Sequence, residues 1–266
     1  MASTFAKALR DRRRALFWWA LGMVATALML ASFYPTIQAT GEDLNAYIEN
    51  LPEALRAIIM AGGGDFISGP GYLNSELFSF MLPVLVLVFS VGIGAGVLAA
   101  EEREGRLELP VASPVTRRRI VLEKLAAVLV GMVGLGLVLW GSLAAGVEIW
   151  DIPVEHGNIA AGVLMGVLLG WVFGALAVAV GAATGRRGMA IGIPAAFGVA
   201  TYLVNGLAPL SSVLEFWRPL SPFYYYNAEQ PIRNGLDPGH TIVLAAVTAI
   251  LGVAAVLAFE RRDLTT

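Results

Sequence analysis

The chain has 266 residues, of which 57% are hydrophobic and 14% charged, and its mean hydropathy is +0.72. That balance excludes disorder, which needs low hydrophobicity and high net charge. The lack of cysteine excludes a disulfide-stapled secreted fold, thiol catalysis and thiolate metal sites. An all-α integral membrane protein remains, and the formal charge of −2 becomes informative only when divided by location.

In chain order, Phe5, Ala8, Leu9 and Arg12 to Arg14 predict a short amphipathic helix lying on the inner leaflet. The first apolar run, 16–34, is longer than the roughly 7 to 15 residues of a secretion signal and reads as an uncleaved anchor. Within the next 42 residues, 35–76, Asn50 caps a small surface helix with Pro52 in its first turn. Leu55, Ile58 and Ile59 fall at helical spacing, and Gly62, Gly63 and Gly64 end it. A second apolar run covers 77–100 with Pro83 inside it, and a charged loop follows over 101–124.

Further apolar runs cover 125–147, 159–183, 189–210 and 241–259. Each is near the ~20 residues that a bilayer core requires, and none holds Asp, Glu, Lys, Arg or His. Gly162, Gly166, Gly170 and Gly174 place four missing side chains on one stripe of the fourth span, a helix-packing surface. Pro194 interrupts the backbone hydrogen bonding of the fifth as Pro83 does that of the second. The last loop, 211–240, crowds Phe216, Trp217, Phe223, Tyr224, Tyr225 and Tyr226 with Pro219 and Pro222. Such rings suit a membrane interface, and Phe223 to Tyr226 are also a candidate outer gate over a substrate path. No loop is long enough for an independent domain, so residues 1–266 are expected to form a single transmembrane domain.

Six spans put both termini on one side. That side carries 15 of the 18 basic residues, whereas the opposite side carries 12 of the 20 acids. The net charges, +7 and −9, predict cytoplasmic termini by the positive-inside rule.

The loop 101–124 reads EEREGRLELPVASPVTRRRIVLEK. Gly105 can end the second span's helical extension, Leu107 and Leu109 offer apolar anchors, and Ser113 caps a new helix starting at Pro114. The result is a short amphipathic bridge joining two rigid helices, so a push on it tilts both. The run E-E-x-x-G-x-L-E followed by S-P-V-T-R resembles the second-to-third-span loop of ABC type 2 permeases. So do L-R-D-R-R-R before the first span, L-S-P-F-Y-Y-Y before the sixth and F-E-R-R-D-L near the end. Arg106, Pro110 and Thr116 depart from that pattern, where Thr, Leu and Ser are common. The resemblance implies a coupling helix seated in a cleft of a separate ATPase. Glu101, Glu102, Gly105, Arg106, Leu107, Glu108, Pro114 and Arg117 would form it. It further implies two cytoplasmic ABC ATPase subunits, which hold ATP and Mg, and a second permease, identical or not, making twelve spans.

Rival chemistries fit poorly. A P-loop needs a lysine after glycine, whereas Lys7 and Lys124 follow Ala6 and Glu123, so no cofactor site for ATP is expected on this chain. Glu101, Glu102 and Arg106 satisfy E-E-x-x-x-R, the first motif of CAAX-type intramembrane proteases. Those enzymes need histidines within the bundle, and His156 and His240 fall in the opposite loops. An intramembrane serine protease fails for the same reason. An ion-coupled transporter would place an ionisable residue within the bundle, where only Ser, Thr and Asn205 offer polar ligands. The sequence therefore reads as the permease subunit of an ATP-driven exporter in the plasma membrane. Its expected cargo is amphiphilic, drug-like or lipid-like, and its partners are membrane lipids and protein chains rather than nucleic acid. The contrasting reading is a membrane scaffold that docks a partner through the same loop and moves nothing.

Overall fold

The computed structural model describes residues 4–41, 50–52, 67–97 and 116–262. The described part is all helix, and six helices are long and apolar enough to cross a membrane. They are α1 (Thr4–Ala39), α2 (Gly69–Val97), α3 (Arg117–Ile149), α4 (His156–Thr184), α5 (Arg187–Leu207) and α9 (Pro238–Arg261). Between the last two lie three short helices, α6 (Ser212–Trp217), α7 (Pro222–Asn227) and α8 (Pro231–Asn234). The surface helix expected between its cap Asn50 and Gly62 to Gly64 lies, beyond residues 50–52, outside the described residues, as do Glu101, Glu102, Gly105, Arg106, Leu107, Glu108 and Pro114 of the inner loop.

The helices outrun the apolar segments because capping and polar residues extend them. Thr116 caps α3, its Oγ1 accepting from the Arg119 N–H at 3.4 Å, while the cap expected at Ser113 lies outside the described residues. Ser68 caps α2 with Pro70 in the first turn, and Asp237 caps α9 by accepting from the His240 N–H at 2.6 Å. The amphipathic N-terminal segment is not separated from the first span: α1 is one helix of 36 residues, since no glycine or proline interrupts it before Gly22. Within α2, residues Asn74–Met81 are wound as a π-helix between the α-helical segments Gly69–Leu73 and Leu82–Val97.

The centre of the bundle is α4, whose most apolar window is 72% buried against 22% for α1 and α5. A helix hydrophobic on every side belongs where it is covered on every side. Its glycines determine what covers it. A Cβ at Gly162 would meet Phe78 at 2.7 Å, at Gly166 Leu82 at 3.0 Å, at Gly170 Met132 of α3 and then Val86 at 2.8 Å, and at Gly174 Val128 of α3 at 3.0 Å and the Cβ of Ser90 at 3.6 Å. Every fourth residue of α2 thus enters the notch left by every fourth residue of α4, in one constant register along two helices running the same way. Gly94 returns the arrangement, since a Cβ there would lie 2.6 Å from the Gly174 carbonyl oxygen.

The termini meet at a basic end. The Phe5 N–H of α1 donates to Glu123 Oε2 at 3.2 Å, which places a carboxylate at the first turn of the helix, and Arg119 Nε holds the same group at 2.8 Å. Arg262 Nη1 donates to the Ala182 and Gly181 carbonyls, at 3.0 and 3.3 Å, capping the last turn of α4. Gly185 ends that helix at φ +66°, and a side chain there would strike the Arg262 guanidinium.

The register gives a test. Gly170→Leu, which must displace Val86 and Met132, is expected to destabilise the protein by about 1–3 kcal/mol. Gly92→Ala, with open space around it, should leave stability unchanged. Thermal melting of both variants in detergent checks the difference.

Candidate functional site

The region opposite the basic end is built around Pro83. Proline has no N–H, so the carbonyl that residue 83 would serve is left without its helical partner. In α register that acceptor is the Ser79 oxygen; in π register it is the Phe78 oxygen. An unpaired carbonyl facing hydrocarbon costs several kcal/mol, so a donor must come from elsewhere. Two arrive. Tyr226 on α7 donates its hydroxyl to the Phe78 oxygen at 2.8 Å, and Tyr202 on α5 donates to the Ser79 oxygen at 3.0 Å. Asn227 adds bonds from Nδ2 to Asn74 Oδ1 at 3.1 Å and to Ser79 Oγ at 3.4 Å. The π-wound part of α2 is therefore held from one side by α5 and α7.

The candidate gate residues divide into two pairs. Phe223 and Tyr226 are buried, with Phe223 set between Phe173 of α4 at 5.5 Å and Tyr202 at 5.3 Å between ring centroids. Burial pushes the Tyr226 phenol well above its ordinary range, with the neighbouring Tyr202 adding to the shift, so it remains a donor at physiological pH. Tyr224 and Tyr225 are half-buried and pack on His240, at 5.4 and 5.3 Å. Ser221 fixes the start of α7 by donating to the Thr201 carbonyl at 2.9 Å and accepting from the Phe223 N–H.

Beside this clasp is a cavity of about 160 Å³ between α2, α5 and the start of α7. Tyr202, Asn205, Arg218, Phe223 and Tyr226 line it. Arg218 Nε donates to Asn205 Oδ1 at 3.2 Å, and its guanidinium carbon sits 5.1 Å from the centre of the Tyr224 ring. Two larger apolar grooves lie elsewhere, about 400 Å³ between α4, α5 and α9 and about 540 Å³ between α3 and α9.

Of the inner-loop residues singled out from the sequence, Arg117 is described: its Nη1 donates to the Arg262 carbonyl at 2.8 Å. It thereby joins the start of α3 to the end of α9. The four glycines lie in the α2–α4 contact. His156 and His240 are both at the end opposite the termini, the former 3.3 Å from Glu148 and the latter against the two tyrosines. Tyr202, Ser79 and Arg218 were not singled out. The available signal was Pro83 itself, because a proline within a long apolar run calls for hydroxyl or amide donors from other helices.

The clasp makes a quantitative expectation. Tyr226→Phe and Tyr202→Phe should each cost about 1–2 kcal/mol of stability by orphaning a carbonyl. In a Pro83→Ala background, where the backbone donor returns, at least one of these costs should shrink. A double-mutant cycle read by denaturant titration measures it.

The comparisons with known proteins agree with a membrane-transport role. Residues 1–260 match the family described as the C-terminal domain of the multidrug efflux system permease Rv1217c. No curated protein matches the chain.

Proposed function

From its place in the multidrug efflux permease family, to which this chain belongs, we propose that it is the membrane subunit of an ATP-driven exporter. The observation that carries this reading is the match over residues 1–260 to an efflux permease, on a bundle whose six apolar runs hold no ionisable residue. An ion-coupled permease normally carries such a residue within its spans, so its absence from these runs favours an external energy source. A nucleotide-hydrolysing partner supplies the missing energy source.

In this reading the basic end faces the cytoplasm of the plasma membrane, as the charge distribution favours. The segment from Glu101 to Arg117 is the coupling bridge that an ABC ATPase grips. Arg117 supports that role, since it ties the bridge's exit to α9, while Arg262 ties α9 to the central α4. A displacement applied there reaches three helices at once. Cargo then moves because its affinity differs between the arrangements that the nucleotide cycle selects. A second permease, either another copy or a related six-span half, completes the transporter. A family defined on the C-terminal domain of an efflux permease is consistent with paired halves. ATP and Mg belong to the partner, and the cargo is amphiphilic.

Reconstitution with a cognate ABC ATPase tests the proposal: vesicles should extrude an amphiphilic dye when given ATP and retain it with a non-hydrolysable analogue. ATP-independent movement, or none, overturns it in favour of a channel or a scaffold. Glu102→Arg and Leu107→Arg should insert normally, because neither residue lies in a span. Their ATP-dependent extrusion should fall at least about tenfold, the effect of losing ~1.4 kcal/mol of coupling.

A further inference from the structure

The cavity beside the α2 clasp contains a cation set up for a ligand. Arg218 is half-buried and held in place twice, by the Asn205 oxygen on Nε and by the Tyr224 ring beside its guanidinium carbon. An arginine that merely reaches for water needs neither hold. Among the described residues its terminal nitrogens have no partner, and none of those lining the cavity is a carboxylate. Glu215, three residues earlier, is exposed and lies outside the lining. Arg233, the other described basic residue at this end, is engaged with Ser68 Oγ at 3.4 Å. A planar guanidinium with one edge fixed and the other open is suited to a carboxylate or a phosphate. The rest of the lining supports this: Asn227 adds an amide, and Leu203 and Leu207 carry an apolar wall onto the exposed surface of α5.

Size limits what fits. Drug-sized pockets run to roughly 300–1,000 Å³, so a cavity of about 160 Å³ takes a headgroup and a few carbons, not a whole drug. We infer that this cavity binds the anionic headgroup of an alkyl-chain amphiphile, with Arg218 as the recognising cation and the chain running along Leu203 and the exposed Val199 of α5. As the identity of a cargo this rests on the efflux reading; as a binding site it stands without it. The same headgroup chemistry could be presented by a transported amphiphile or by a resident phospholipid.

The test uses the purified full chain in a maltoside micelle, without any ATPase, and equilibrium binding of radiolabelled decyl phosphate. Saturable binding is expected, not displaced by inorganic phosphate or by decyltrimethylammonium. Arg218→Gln should weaken it at least about tenfold, Arg218→Lys less, and Arg233→Gln should leave it unchanged. Displacement by short-chain phosphatidate identifies a phospholipid as the source, and its failure to displace identifies a single-chain amphiphile; both uphold the headgroup site. Should the Arg218 variants fold poorly, protection of Arg218 in the unaltered protein from phenylglyoxal by decyl phosphate, read by mass spectrometry, gives the same answer. Binding that survives Arg218→Gln, equal displacement by the cationic amphiphile, or unprotected Arg218 overturns the inference. Binding intact while ATP moves nothing overturns the efflux reading and leaves this site standing.

Discussion

In hydrocarbon every backbone carbonyl needs a donor, and Pro83 takes one away in the middle of a spanning helix. Much of the acidic-end architecture follows from that deficit. The Phe78 and Ser79 oxygens are served by Tyr226 and Tyr202, so α5 and α7 must lie against α2 with their phenols pointing inward. The same device recurs across the bundle: Tyr72 donates to the Leu30 carbonyl and joins α2 to α1, and Trp171 donates to the Leu129 carbonyl and joins α4 to α3. An aromatic ring with a polar tip fills apolar space and ends in a donor, which suits a medium that offers no water.

Beneath this polar clasp the α2–α4 pair is held by shape alone. Phe78, Leu82, Val86 and Ser90 follow the notches at Gly162, Gly166, Gly170 and Gly174, the last two shared with Met132 and Val128 of α3, which brings the two backbones close and fixes their relative height. With no hydrophobic drive between helices in lipid, such fit is the main source of specificity. At the basic end the joints are ionic and capping instead: Glu123 on the start of α1, Arg262 on the end of α4, Arg117 on Arg262. One end of the molecule is thus tied by arginines and carboxylates and the other by phenols and amides, with glycine packing between.

The six spans were legible because long uncharged runs have one physical explanation, and the sided distribution of Lys and Arg gave their alternation. Helix ends were less legible. Apolar length marks the membrane-crossing part, whereas Thr116, Ser68 and Asp237 set where helices begin. The spacing of Gly162 to Gly174 announced a packing stripe but could not say which helix it receives, since that depends on contacts 84 positions away in sequence. The aromatic cluster around Phe223 was visible as composition; its division into an inward pair and an outward pair was not, because a six-residue helix turns neighbouring rings to opposite sides. Arg218 escaped notice because a lone arginine in a loop looks the same whether it is solvated or aimed into a cavity.

The eight π-wound residues Asn74–Met81 give α2 a property that a uniform helix lacks. A wider coil advances less and turns less per residue than an α-helix, so this stretch holds a fraction of a revolution in reserve. Were it to tighten, the outer stub Gly69–Leu73 would swivel about the axis relative to Leu82–Val97, and the oxygens that Tyr202 and Tyr226 grasp would rotate out of reach. The lower half, locked tooth by tooth to α4, would stay still. The helix is in effect a screw with a soft thread near its head, and two phenolic hydroxyls act as its catch.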